Sequence, residues 1–403
     1  MSLARNLLAG AAALSMAIVA GPANAQISGD VVRIGVLTDM NSIYADINGM
    51  GAVEAARMAV EDFGGTVLGK KIEVVYADTQ NKADIGMSVG GRWFDVDGVD
   101  MIAGASSSAV SLAIQTLVGS KNKVFLASDP ASSDITGKLC NANTIHWVYD
   151  TYALANGTGS AVVQSGGDTW FFLTADYAFG YALERDVGAV VTKSGGKVLG
   201  SVRHPLNTSD FSSFILQAQA SKSKIVGLAN AGGDTINSIK QAAEFGVVKG
   251  GQKLAGLLVF ISDIHSLGLD AAHGLQLTSA FYWDRTEESR AWSKRWGDRF
   301  RNRLPTMAQA GFYSCIIHYL KAVHALGDKV VAKMKELPTD DPLFGKGYVR
   351  IDGRKMHDMY LFEVKSPSES KYPWDYYKLI RTIPAEQAFR PLDQGGCKLA
   401  AKN

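Results

Sequence analysis

The 403-residue sequence has few cysteines, little excess of either charge and few long apolar runs. Its formal net charge of +2 is too balanced to favour a nucleic-acid partner. After the first 25 residues, no apolar run reaches the roughly 20 residues that a membrane span requires. The seven histidines and three cysteines lack the spacing of a zinc site. We therefore predict an exported, soluble protein with no metal, no cofactor and no nucleic-acid partner.

Two catalytic motifs are present only in incomplete form. The stretch GGTVLGKK (64–71) imitates a phosphate-binding loop, but Lys71 stands where a magnesium-binding hydroxyl is required, and a strand follows rather than a helix. The stretch GASSSA (104–109) follows an apolar strand, as a serine nucleophile does, but lacks the second glycine of the G-x-S-x-G turn. We predict that the protein is not an enzyme; an exported serine hydrolase is the alternative.

The N-terminus has the pattern of a cleavable signal peptide. Arg5 precedes the apolar run LLAGAAALSMAIVA, and Ala23-Asn24-Ala25 gives the small-x-small cleavage pattern. We predict that residues 1–25 are a signal peptide. Export permits a disulfide, and Cys140 and Cys397 both lie in loop-like segments, whereas Cys315 has the apolar spacing of a helix. The predicted bridge therefore joins Cys140 to Cys397.

Strand-like and helix-like segments alternate along most of the chain. The first series has strands at 31–37, 71–77, 99–104 and 123–128, and the second at 168–175, 197–202, 224–230 and 253–260. This alternation predicts parallel sheets covered by helices on both faces. One sheet with so many strands would be unusually wide, so we predict an α/β fold with two doubly wound, Rossmann-like lobes.

Two serine-rich segments follow strands of the first series. They are GASSSA and LASDPASSDIT (126–136). The first amides of a helix have no acceptor within the helix, and the helix dipole adds positive charge there. Gly104 and Ala105 leave room for a ligand, so these segments predict a site for a small carboxylate. A plain serine N-cap is the alternative.

Taken in order, these segments resemble the type I periplasmic solute-binding proteins of ABC importers, in the branch that binds leucine, isoleucine and valine. The resemblance is carried by VVRIGVLTDMNSIYADINGMGAVEAARMAVEDF, KKIEVVYADTQNKAD, IAGASSSAVSLAI, KVFLASDPASSDIT, WFFLTADYAFGYALE and SDFSSFILQAQASKSKIVGLANAGGDT. It implies two lobes that close on a ligand by hinge motion, a periplasmic location, a monomer, and docking on an inner-membrane permease.

The resemblance also implies a division of the chain between the lobes. Three crossings are expected near Asp150, between Ser279 and Tyr282, and between Asp352 and Met356. The expected N-terminal lobe comprises 26–149 plus 281–353, and the expected C-terminal lobe comprises 150–280 plus 354–403.

Carried over position by position, the family pattern assigns the ligand-binding residues. Ala105, Ser106 and Ser107 should hold the carboxylate, while Tyr44 and Phe179 should form aromatic walls. The remaining expected contacts are Ser128, Asp129, Ser132, Tyr149, Asp150, Asn230, Ser262 and Asp263.

The assigned residues leave the ligand open. Asp129 would repel an anion unless it pairs with a cationic group or turns away. One candidate ligand is an amino acid or related zwitterion with its ammonium on Asp150 or Asp263; the other is an aromatic or hydroxylated carboxylate held by the aromatic residues. A ligand sensor of the same fold that does not transport is the alternative function.

Overall fold

A computed structural model describes residues 27, 29–325 and 329–402 of the chain. The predicted signal peptide, residues 1–25, lies outside the described residues. Within the described ranges, no helix combines the length and the apolar character needed to cross a membrane.

Sixteen strands are found in the described part of the chain. Their bounds are β1 Val31–Thr38, β2 Thr66–Val67, β3 Lys70–Asp78, β4 Met101–Gly104, β5 Val124–Ala127, β6 Thr144–His146, β7 Thr169–Ala175, β8 Lys197–His204, β9 Ile225–Ala229, β10 Lys253–Gly256, β11 Gln276–Ser279, β12 Thr339–Asp341, β13 Gly345–Val349, β14 Lys355–Met356, β15 Met359–Val364 and β16 Tyr377–Ile383.

Fourteen α-helices lie between these strands in the same described ranges. Their bounds are α1 Gly49–Phe63, α2 Ala83–Asp95, α3 Ser108–Lys121, α4 Thr151–Leu154, α5 Ser160–Gln164, α6 Ala178–Lys193, α7 Ser212–Ala220, α8 Gly233–Glu244, α9 Ile261–Leu267, α10 Leu269–Ala272, α11 Glu287–Arg299, α12 Met307–Ala325, α13 Val330–Glu336 and α14 Ala385–Ala388.

The first sheet has the order β2-β3-β1-β4-β5-β6, and all its pairings are parallel except that of the short β2 with β3. Successive side chains of β4 enter different apolar clusters. Met101 and Ala103 pack with residues of α1 and α12, whereas Ile102 packs with residues of α2 and α3. Because successive side chains of a strand point to opposite faces, helices cover this sheet on both sides.

The second sheet is parallel, in the order β10-β9-β7-β8, and an antiparallel sheet β11-β15-β16 follows it in the chain. The predicted α/β class with parallel sheets is confirmed. One boundary differs: β10 ends at Gly256, so the apolar residues 257–260 are not part of the strand.

The loops at the carboxyl ends of the two parallel sheets contact each other. In the turn between β9 and α8, the amide of Gly233 donates a hydrogen bond to the carbonyl of Ile43 at 3.2 Å. Gly232 has φ +59°, and a Cβ there would lie 2.3 Å from the same carbonyl oxygen. Only glycine permits this close approach, which holds the two edges together.

The three predicted crossings fall between elements of different sheets or at hairpins. Asp150 lies between β6 and α4, residues 279–282 begin at the last residue of β11, and residues 352–356 comprise the end of the β13–β14 turn and β14 itself. The division into lobes at these points remains a prediction.

The structure joins Cys140 and Cys397 by a disulfide, with Cα atoms 5.5 Å apart, and Cys315 is a buried free thiol. The bridge ties the segment after α14 to the loop that precedes β6. The two bridged cysteines are 257 positions apart in the chain.

Candidate functional site

A cavity lies between the carboxyl ends of the two parallel sheets. Its empty volume is about 290 Å³, which includes the solvent at its open mouth. Its lining comes from the loops after β1, β4, β5 and β6 of the first sheet and after β7, β9 and β10 of the second. Open parallel sheets bind ligands at this edge. The lining residues are Tyr44, Ile47, Asn48, Ser106, Ser108, Asp129, Ala131, Tyr149, Tyr177, Phe179, Ala231, Leu258 and Phe260.

A second, larger pocket, of about 880 Å³ including the solvent at its mouth, lies at the amino ends of β7, β9 and β10. Its lining comes from the second sheet and adjoining turns, and includes Lys224, Ile225 and Lys253. We assign the ligand site to the smaller cavity because it lies at the carboxyl ends of the strands and is lined by residues from the loops of both parallel sheets.

The start of α3 forms one wall of the cavity. Gly104 has φ +104°, and a Cβ there would lie 2.5 Å from the carbonyl oxygen of Leu37. Ala105 follows with φ +64°, and its amide donates to the same oxygen at 2.6 Å. This tight turn brings Ser106 and Ser108 to the cavity.

Two residues of the carboxylate-binding group predicted from the sequence have hydrogen-bond partners within the chain. The amide of Ala105 is already used by Leu37, so it is not available to a ligand. The Oγ of Ser107 accepts a hydrogen bond from the amide of Val110 at 3.3 Å, and Ser107 is therefore the N-cap of α3. The serines on either side of it, Ser106 and Ser108, line the cavity.

The hydroxyl of Ser108 retains a proton that it can donate. Its Oγ accepts from the amide of Ser132 at 3.2 Å, which uses one lone pair and leaves the O–H free to turn into the cavity. The hydroxyl of Ser106 already takes part in two hydrogen bonds. It accepts from the amide of Asp39 at 3.1 Å and shares a hydrogen bond with the hydroxyl of Thr38 at 2.9 Å.

The loop after β5 contributes Asp129 and Ala131 to the cavity. Ser132, predicted to contact the ligand, instead accepts from the amide of Asp134 and caps a short 3₁₀ turn, so the lining position is one residue earlier than the sequence indicated. Ser128 is buried beside β5 but does not line the cavity.

Both oxygens of Asp129 lack a hydrogen-bond partner in the described part of the chain, although the side chain is 2% exposed. Burial raises the pKa of this carboxyl to about 7, against the smaller opposing effect of the Ser106 hydroxyl. Asp129 is the one carboxylate of the lining, which contains no lysine, arginine or histidine.

The two acids that the sequence proposed for a ligand ammonium have other partners. Asp150 accepts from the amide of Ala153 at 2.8 Å, as the N-cap of α4, and lies 3.7 Å from the guanidinium of Arg354. Asp263 accepts from the amide of Phe260 at 2.9 Å. Neither is among the residues that line the cavity.

Two other predicted contacts also lie outside the lining. The Oδ1 of Asn230 accepts from the hydroxyl of Thr235 at 2.7 Å, and its amide group lies 3.2 Å from a ring nitrogen of His204. Ser262 is buried on α9, and its Oγ has no partner among the described residues.

Aromatic rings from both sheets form the remaining walls. The hydroxyls of Tyr44, after β1, and Tyr177, after β7, share a hydrogen bond of 2.6 Å across the cavity. Tyr149 packs edge-on against Phe260 with ring centroids 6.0 Å apart, and its hydroxyl donates to the backbone carbonyl of Asp129. Burial raises the pKa of Tyr44 and of Tyr149, so both hydroxyls are neutral donors or acceptors.

Sequence reasoning missed eight lining residues, which are Ile47, Asn48, Ser108, Ala131, Tyr177, Ala231, Leu258 and Phe260. Two had a signal in the sequence. Tyr177 stands two residues before Phe179 in DYAFG, and Ser108 is the third serine of GASSSA. No grouping of acidic, histidine and cysteine side chains suited to a metal ion occurs within the described residues.

Two parallel sheets covered by helices, with a small cavity lined by the loops at their carboxyl edges, are typical of a ligand-binding protein. Residues 31–371 match the family described as periplasmic binding protein. The chain belongs to this family, which is a family of solute-binding proteins.

Solved structures agree with this assignment. A periplasmic binding protein from Burkholderia mallei is 54% identical, with a TM-score of 0.90, and the match covers 92% of this chain and 99% of that one. A branched-chain amino-acid ABC transporter ligand-binding protein from Burkholderia xenovorans is 39% identical, with a TM-score of 0.81 and coverage of 92% and 100%. An ABC-transporter solute-binding protein from Rhodopseudomonas palustris, in complex with 3,4-dihydroxybenzoic acid, shares the fold at 22% identity, with a TM-score of 0.78 and coverage of 89% and 98%.

Proposed function

We propose that this protein is the periplasmic solute-binding component of an ABC importer, which captures a small carboxylate-bearing solute between two lobes and delivers it to a membrane permease. It acts without catalysis, as a monomer, after removal of residues 1–25. The observation that carries this proposal is the cavity itself. The loops that follow seven strands, four in the first parallel sheet and three in the second, contribute its lining.

The start of α3 supports a carboxylate as the recognised group. The amides of the first helical turn have no acceptor within the helix, and the dipole of this 14-residue helix favours negative charge there. The hydroxyl of Ser108 adds a donor at the same place. The ligand is either an amino acid, as the name of the 39% identical relative suggests, or an aromatic acid, as the distant complex with dihydroxybenzoic acid suggests.

Adjacent serines provide the test. In Ser108→Ala the ligand loses a buried donor to its carboxylate, so affinity should fall by about 1.5–3 kcal/mol, or roughly 10- to 150-fold. In Ser107→Ala the helix loses its cap, so stability should fall by about 1 kcal/mol while affinity is retained. Both variants are titrated by calorimetry with amino acids and aromatic acids. Equal loss of affinity in the two variants, or no binding of any carboxylate by the unaltered protein, would contradict the proposal.

A further inference from the structure

Two residues of the cavity lining have buried side-chain oxygens without a hydrogen-bond partner among the described residues: Asn48, at its Oδ1, and Asp129, at both carboxylate oxygens. Of the two, Asp129 is the one that can carry a charge. Asp129 lines the cavity, and both of its carboxylate oxygens are buried without a partner at hydrogen-bond geometry among the described residues. The nearby hydroxyl of Ser106 lowers the pKa of this carboxyl, but less than burial raises it. Burying an ionised carboxylate without a partner is costly, and native structures rarely tolerate it outside functional sites. The missing partner must therefore come from outside the chain or from a proton.

The surroundings of Asp129 define what such a partner would be. The lining offers no basic side chain that competes for the carboxylate. The aromatic residues Tyr44, Tyr149, Phe179 and Phe260 line the same cavity, and the face of an aromatic ring attracts a cation in a desolvated site. The two free oxygens suit a group with more than one N–H donor, and a charge-assisted hydrogen bond of this kind is about twice as strong as a neutral one.

We propose that Asp129 is the specificity-determining residue of the cavity: its carboxylate receives the protonated amine of the ligand, so that the solute must carry an amine as well as a carboxylate. This inference rests on the proposed function, which supplies the carboxylate at the start of α3. It transfers to Asp129 the role that the sequence gave to Asp150 or Asp263, since both of those carboxylates accept hydrogen bonds from their own helix ends.

The consequence is a choice between the two ligand classes. An amino acid satisfies the start of α3 and Asp129 together. A benzoate without an amine would place its carboxylate near Asp129 with nothing to offset the repulsion between the two anions, unless Asp129 took up a proton. Recognition by an unpaired buried group discriminates strongly, because a ligand that lacks the complementary donor leaves that group unsatisfied.

The test uses ligands that differ only in their charged groups. The full-length mature protein is titrated by calorimetry at pH 8 with leucine, 4-methylpentanoate and 3-methylbutylamine, and with phenylalanine, 3-phenylpropanoate and 2-phenylethylamine. We expect at least one amino acid to bind at least 100-fold more tightly than its matched acid without the amine. In Asp129→Asn that amino acid should bind at least tenfold more weakly, while the matched acid should bind as well as or better than before. The exposed carboxylate of Asp340 gives the control variant, Asp340→Asn, which should bind like the unaltered protein.

Each result bears on a different claim. If an acid without the amine binds as tightly as its amino acid, the role of Asp129 is refuted and the solute-binding function stands. If no ligand of either series, nor any other carboxylate in the wider panel, binds the unaltered protein, both claims are refuted. The comparison of matched ligands is made on the unaltered protein, so it decides the question even if Asp129→Asn does not fold.

Discussion

Replacing Asp129 by asparagine should change how the stability of the ligand-free protein depends on pH. The folded state holds the pKa of this carboxyl at about 7, well above its ordinary value near 3.8, because the side chain is buried. Between these two values the folded protein binds more protons than the unfolded chain. The free energy of unfolding therefore falls as pH rises through this interval, and the loss is complete above pH 7.

The size of the effect follows from the two pKa values. Each pH unit within the interval is worth about 1.4 kcal/mol, so moving from pH 5 to pH 8 should cost about 2–3 kcal/mol through Asp129 alone. Asparagine does not titrate. The difference in unfolding free energy between Asp129→Asn and the unaltered protein should therefore shift by that amount in favour of the variant.

Urea unfolding without ligand, followed by tryptophan fluorescence at pH 5 and pH 8, measures this difference. Asp234 and Asp263, whose pKa values burial raises to about 6 and about 7, titrate in both proteins and cancel in the comparison. The control Asp340→Asn should show no such shift. If the difference between Asp129→Asn and the unaltered protein is the same at both pH values, Asp129 is not a buried, unpartnered carboxyl, and the reasoning about the cavity fails.

Three further changes test other parts of the structure. Tyr177→Phe removes the 2.6 Å hydrogen bond to Tyr44 between the two edges and should weaken ligand binding by about 0.5–1.5 kcal/mol in calorimetry, whereas Tyr181→Phe, at an exposed ring, should not. Cys397→Ser opens the disulfide and should lower the free energy of unfolding by about 2–4 kcal/mol; peptide mapping without reduction should find the bridge in the unaltered protein, and two free thiols there would contradict it. Arg354→Met removes the guanidinium beside the buried carboxylate of Asp150 and should lower the free energy of unfolding by about 3–5 kcal/mol in urea unfolding. An unchanged urea midpoint would contradict a stabilising role of this ion pair.

The sequence predicted the sheets well because their signals are local. Alternating and continuous apolar runs marked β1, β7 and β9 to within one or two residues of their bounds. The short strands β6 and β14 carry too few residues for a pattern, and β16 has exposed residues along most of its length, so no apolar period marked it.

The residues that line the cavity were harder to predict, because the hydrogen-bond partners of a side chain depend on contacts between distant parts of the chain. Asp129, Asp150 and Asp263 are all acidic residues near strand ends. In the folded chain Asp150 accepts from a backbone amide and lies near a guanidinium, and Asp263 accepts from a backbone amide, and the local sequence does not show these contacts. Likewise, three consecutive serines look equivalent in the sequence. The turn at Gly104 fixes Ser107 as the cap and places Ser108 at the cavity.

A crystal structure of the protein with an amino acid selected by the matched series would test the central claim most directly. We expect the ligand carboxylate at the start of α3, within hydrogen-bond distance of the Ser108 hydroxyl, and the ligand nitrogen within about 3 Å of an oxygen of Asp129. A ligand bound outside this cavity, or bound inside it with its nitrogen away from Asp129, would contradict the account.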